Sequence, residues 1–187
     1  MHTTLIDAWL PQRRAALDLL VLLGASLAIG LGAQVAIPLP FTPVPATLQT
    51  LAVLVTGAVL GSKRGALAVL VYLAEGAAGL PVFAGGLSGP TMLLGPTGGY
   101  LVGFVVAAFV VGLLAERGWD RRRWTTLAAM VIGTAIILGL GVVGLCRFMP
   151  LSAAIAAGAV PFVLGDIIKI ALAMEALPRA WPRRVTR

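Results

Sequence analysis

The sequence predicts an all-α integral membrane protein, a bundle of six transmembrane helices. Three observations predict it. Of the residues, 59% are hydrophobic and only 11% are charged, with a mean hydropathy of +1.01; a soluble domain carries about 25% charged residues. Six apolar stretches can be marked, at 17–37, 46–60, 66–80, 98–115, 125–146 and 152–177. The basic residues then fall almost entirely into alternate connections between them.

The first stretch, 17–37, follows Arg13 and Arg14. It is longer than the apolar part of a signal peptide and runs into proline rather than a small-residue cleavage site, so it reads as a span. Within it Gly24, Ala28 and Gly32 repeat every four residues. Small residues at that spacing allow close helix–helix approach, either inside the bundle or against another membrane protein. Next comes "IPLPFTPVPATLQT", Ile37–Thr50, with prolines at 38, 40, 43 and 45 and no charge. The stretches 46–60 and 66–80 are short of the roughly 20 residues that cross a bilayer. Between them "GAVLGSKRG" has glycines and a lysine without the order of a phosphate-binding loop, and it reads as a short basic turn. The strip 79–100, "GLPVFAGGLSGPTMLLGPTGGY", holds seven glycines and three prolines and is also uncharged. The stretches 98–115 and 125–146 are long enough to span, and the second is glycine-rich in "GTAIILGLGVVG". The last, 152–177, contains Pro161, which predicts a break or a late start, and then Asp166 and Lys169 in "GDIIKI". No repeat period and no inverted similarity of the halves is visible, so an inverted-repeat transporter is not supported. The whole, 1–187, reads as one transmembrane domain.

Of the fourteen Lys and Arg residues, twelve lie before the first stretch, between the second and third, between the fourth and fifth, or after the sixth. The positive-inside rule places those connections and both termini in the cytoplasm, with 38–45, 81–97 and 147–151 outside. Trp9, Trp119, Trp124 and Trp181 flank the cytoplasmic ends as interfacial anchors would. This placement explains the net charge of +7 without nucleic acid. Cys146 is the single cysteine and His2 the single histidine. Neither an internal disulfide nor most metal sites or nucleophile–base pairs can be built. No catalytic residue, metal or cofactor is expected.

An ionisable group inside a membrane costs about 3 kcal/mol and is usually functional. Asp166 and Lys169, three apart, share one helix face. They are either a self-neutralising structural pair or an acceptor and a donor for a small ligand carrying N–H and carbonyl or carboxylate groups. Glu75 is either a ligand group or a cap near the outer end of its helix, and Gln34 and Gln49 are candidate helix-joining or ligand amides. Backbone in the two uncharged strips can sit at membrane depth only if it is buried in protein or lines a cavity. The proline strip therefore reads as a lid over an apolar, outward-facing pocket under the connection between the first two helices, or as a ligand-free plug.

"PVPATLQT", "GLPVFAGG" and "GPTGGY", in that order and at these spacings, resemble the BioY family, the biotin-specific substrate-binding (S) components of energy-coupling factor transporters. The resemblance runs from about Ala25 through "GDIIKI". It implies six helices, high-affinity biotin capture near the outer face, and uptake energised by a membrane coupling (T) subunit with two cytoplasmic ATPases. It implies that Asp166 and Lys169 contact biotin and that Gly24, Ala28 and Gly32 dock the coupling subunit, where family members more often have alanine. Some members carry an asparagine in the third helix; this chain has none, and Glu75 is the substitute expected here. Biotin's rings would lie against Phe41, Tyr72, Phe83 and Tyr100. Its ureido group suits Asp166 and Lys169, and its valerate would meet Lys169, Gln49 or the amides at 98–99. The competing classes are an intramembrane enzyme and a structural membrane partner without ligand.

Overall fold

A computed structural model describes residues 4–10 and 15–182. His2, Arg13, Arg14, Arg183, Arg184 and Arg187 lie outside the described residues. The elements are α1 (Leu5–Trp9), α2 (Ala15–Gln34), β1 (Ala36–Ile37), β2 (Ala46–Thr47), α3 (Gln49–Leu60), α4 (Ser62–Ala77), α5 (Thr91–Leu94), α6 (Gly98–Glu116), α7 (Arg123–Leu145), α8 (Leu151–Gly158) and α9 (Val163–Ala180). Single 3-10 turns occupy Ala84–Gly86, Trp119–Arg121 and Val160–Phe162. Among the described residues four segments are long and apolar enough to cross a membrane: α2, α6, α7 and the two-part stretch Leu151–Ala180.

α6 is the hub, packed on α3, α4 and α7. Glycine permits the closest of these approaches. A methyl group on Gly57 would stand 2.9 Å from Ala108 Cα, and one on Gly99 would stand 2.9 Å from Gly144 Cα. The lipid-sized faces of α2 and α9 stay open, with Leu20, Leu27, Leu31, Leu164, Ile168 and Leu172 exposed.

The structure moves several expected boundaries. The helix expected over 46–60 starts only at Gln49, because Ala46 and Thr47 pair antiparallel with Ile37 and Ala36. Pro43 and Pro45 cannot donate to a helix, so the chain enters extended. The third helix begins at Ser62 rather than 66, and the expected basic turn shrinks to Gly61, at φ 85°, with Lys63 and Arg64 already helical. The Glu116 carboxylate makes this abrupt restart possible. It accepts from the Ser62 amide at 2.7 Å and from the Ser62 hydroxyl at 2.8 Å, satisfying donors that a helix start leaves open. The last helix is broken at Pro161, into α8 and α9.

The end of the bundle rich in arginine is tied by polar contacts. Arg64 pairs with Asp7 at 2.9 Å, and Glu175 takes both Arg123 and Arg179. Trp9 Nε1 donates to the Ala180 carbonyl at 3.0 Å. Trp124 is exposed, as an interfacial anchor should be, but Trp181 is 4% exposed and donates to Asp120 Oδ2 at 2.9 Å. Its ring carries the Arg121 guanidinium 4.4 Å from its centroid. Trp181 is thus an internal fastener rather than a lipid anchor. Burial pushes the Asp120 carboxyl up from 3.8 to about 6, against the opposing pull of Trp181, its own backbone amide and Arg121.

Candidate ligand site

The other end of the bundle holds a cavity of about 180 Å³. Three parts of the chain close over it: Pro43–Pro45 from the proline strip, Phe83, Ala84 and Leu87 from the glycine strip, and Met92, Pro96 and Thr97 just before α6. The helical wall comes from α3, α4, α6, α7 and the start of α9.

Six of the eight expected site residues line this space: Gln49, Tyr72, Phe83, Tyr100, Asp166 and Lys169. Lys169 Nζ donates to Asp166 Oδ1 at 2.9 Å and to Thr50 Oγ1 at 2.8 Å. Two of the three ammonium donors are thereby used. Asp166 lies in the first turn of α9, where the helix dipole favours a carboxylate. Its Oδ2 is buried and has no hydrogen-bond partner. Such an oxygen, left dry, costs about 1–3 kcal/mol or more for a charged group, and a ligand N–H aimed at it would recover that cost.

The aromatic walls are fixed from behind. Gln49 Nε2 donates to Tyr72 Oη at 2.8 Å, and Tyr72 Oη donates to the Val82 carbonyl at 3.1 Å. Phe83 stands edge-on to Tyr72, ring centroids 5.5 Å apart, over Gly76, where any side chain would overlap the ring. Gln34 Nε2 reaches from α2 to the Phe83 carbonyl at 3.2 Å. Gln34 thus ties a helix to the strip and leaves the cavity to Gln49.

Phe41 and Glu75 stand outside the lining. Phe41 tips the strip's turn and is 64% exposed, while Leu39 and Val44 on either side turn inward. Glu75 takes the Ser26 hydroxyl from α2. Tyr72 and Gly76 share the face toward the Phe83 ring, and Glu75 is rotated off it toward α2. Gly98 and Gly99 are not among the lining residues: the Gly98 amide donates to the Gly95 carbonyl at 2.9 Å, and the Gly99 α-carbon packs against α7. The small-residue ridge of α2 divides. Gly24 has nothing within 4 Å of a built methyl, and Ala28 is exposed, but a methyl on Gly32 would touch Ala52 Cβ and Gln49 Cα at 3.3 Å. A spacing of four drifts about 40° per step around a 3.6-residue helix, so the third position has turned onto α3.

Sequence reasoning missed Thr50 as the lysine's second partner, and the apolar walls Phe104, Ile137 and Phe162. Phe104 lies one turn beyond Tyr100, a signal that was available; Phe162 comes from the break, which no periodicity announces. Among the described residues, no group of His, Cys, Asp and Glu could hold a metal ion.

The BioY family profile matches residues 6–186. The chain belongs to the BioY family. Among its relatives, the biotin transporter BioY of Thermotoga maritima is 49% identical over 146 residues, covering 78% of this chain and 84% of that protein. The biotin transporter BioY of Rhodobacter capsulatus is 47% identical over 165 residues, covering 81% and 85%. The fold matches a crystal structure of the S-component for biotin from an ECF-type ABC transporter, with a TM-score of 0.79, 27% identity and coverage of 88% of this chain and 90% of that one. This is a multi-pass membrane protein of a transporter family, and its relatives are transport proteins rather than enzymes.

Proposed function

We propose that this chain binds biotin and serves its uptake across the cytoplasmic membrane as the S component of an energy-coupling factor transporter. One observation supports the reading above the others: a buried carboxylate oxygen without a partner, beside a lysine with a donor to spare, inside a cavity otherwise walled by Tyr72, Phe83, Tyr100 and prolines. Biotin's fused rings suit the aromatic walls. A ureido N–H suits Asp166 Oδ2, and the ureido carbonyl suits the remaining ammonium donor of Lys169. With that donor taken, the valerate falls to Gln49, whose amide keeps a second N–H beyond the one given to Tyr72.

On this reading six segments span the membrane as one domain: α2, α3, α4, α6, α7 and the broken pair α8–α9. The 12-residue α3 and 16-residue α4 are short, at about 1.5 Å per residue, and shelter inside the bundle. The arginine-rich end and both termini are cytoplasmic, and the cavity opens outward under the proline strip. The partners are a membrane coupling subunit and two cytoplasmic ATPases. The open part of the α2 ridge, Gly24 and Ala28, is where the coupling subunit docks, with Gly32 kept for internal packing. No cofactor is needed for capture.

Isothermal titration of the detergent-purified chain with biotin tests this. A dissociation constant below about 1 µM, or roughly −8 kcal/mol, supports the proposal; no heat at tens of micromolar ends it.

A further inference from the structure

The break between α8 and α9 leaves a carbonyl that a continuous helix would satisfy. In an unbroken helix the Phe162 amide would donate to Gly158. Here it donates to Ala159 at 3.1 Å, and the Val163 amide donates to Val160. The freed Gly158 oxygen is instead taken by the Tyr100 hydroxyl, from α6, at 2.6 Å and in full burial. The tyrosine is seated for this. A side chain at Gly141 would overlap its ring, and Phe162 packs against it at a tilt, ring centroids 6.4 Å apart. Four residues after Phe162 comes Asp166, and seven after it Lys169. The position of the break therefore sets where both charged groups stand in the cavity. The Tyr100 ring lines the cavity, but its hydroxyl proton is committed to the backbone behind it.

We propose that Tyr100 is a positioning residue for ligand capture: by holding the Gly158 carbonyl it fixes the start of α9, and so aims Asp166 and Lys169 at the ligand. The inference rests on the biotin reading above. Unlike a direct contact, such a residue acts through the groups it places, so its loss should cost little once one of them is already disabled.

The test is a double-mutant cycle in biotin affinity, by titration of purified protein. Titrating the unaltered chain comes first; absence of binding there sinks the biotin reading and this inference with it. Where the unaltered chain binds, Tyr100→Phe is expected to weaken affinity about tenfold, as it would if only about a tenth of the molecules kept the start of α9 in its binding position. In an Asp166→Asn background the same change should cost about threefold or less. Gly158→Ala approaches the bond from the other side. Its methyl would overlap Leu145 Cδ1 as well as stand 2.5 Å from the Tyr100 hydroxyl, so both must shift with the phenol intact, and it serves if Tyr100→Phe fails to fold. It should show the same weakening and the same absorption by Asp166→Asn. Affinity within about twofold of the unaltered chain in the folded variant, or penalties that multiply across the cycle, would overturn the proposal.

Discussion

The two buried aspartates near opposite ends of α9 make a natural comparison. Asp166 opens the helix, and Asp120 receives Trp181 just beyond its other end. Each has one oxygen bonded and one without a partner. Their surroundings differ. Asp166 faces a cavity and has an ammonium group 2.9 Å away. Asp120 is 2% exposed and covered by an indole and the guanidinium stacked upon it. The same half-satisfied carboxyl is thus a fastener at one end and, in the function proposed above, a receptor at the other. What distinguishes them is that Asp166 is a lining residue of the cavity, whereas Asp120 lies under Trp181 and Arg121.

The comparison can be broken by showing that either end does the other's work. The largest effect belongs to Lys169→Met. Removing one partner of a buried pair strands the other charge at a cost to folding of about 3–5 kcal/mol, and the thermal midpoint should fall accordingly. In titration, biotin affinity should also fall, by roughly ten- to a hundredfold, for the ammonium hydrogen bond that is lost; unchanged affinity would mean that Lys169 does not meet the ligand. At the far end, Trp181→Phe removes a hydrogen bond to a buried carboxyl, worth about 1.5–3 kcal/mol. The thermal midpoint in detergent should drop by several degrees while affinity stays within about twofold; a larger affinity change would dissolve the distinction between the ends.

A pH profile sharpens the fastener role. Asp120 has its folded pKa raised from 3.8 to about 6, so the folded state binds the proton more tightly than the unfolded chain. Stability from this group is therefore present below the lower value and lost as pH rises through about 6. Lowering the pH from 7 toward 5 should raise the thermal midpoint, and Asp120→Asn should flatten that rise. An equal rise in both proteins would assign it to other groups. The smallest effect is expected at Phe41→Ala. This residue points away from the cavity, and biotin affinity should not change by more than about twofold; a tenfold loss would place Phe41 over the bound ligand after all.

What was legible in the sequence follows the same division. The membrane class, the marked stretches and the Asp166–Lys169 pair were visible because charge is so sparse that each instance carries information. Gln49, Tyr72, Phe83 and Tyr100 were visible as polar or aromatic residues near the uncharged strips. Glu75 entered the expected site as an intramembrane carboxylate standing where some family members have asparagine, and Phe41 as the aromatic residue of the proline strip. Helix rotation sent one toward Ser26, and a turn tip sent the other outward. The contacts that needed distant partners were not legible: Glu116 on Ser62, Asp120 on Trp181, and Tyr100 on Gly158, separated by 54, 61 and 58 residues. Two of them satisfy backbone groups, the Ser62 amide and the Gly158 carbonyl, whose need arises only once a helix has started or stopped at one particular place.

The central claim is that the bare oxygen of Asp166 receives a ligand N–H. Asp166→Asn tests it most directly, because the amide keeps the size and one oxygen while removing the charge. Titration of the purified variant should show biotin binding weakened by about 1.5–3 kcal/mol, roughly ten- to a hundredfold. Affinity equal to that of the unaltered chain would contradict the account and return the pair to a purely structural role.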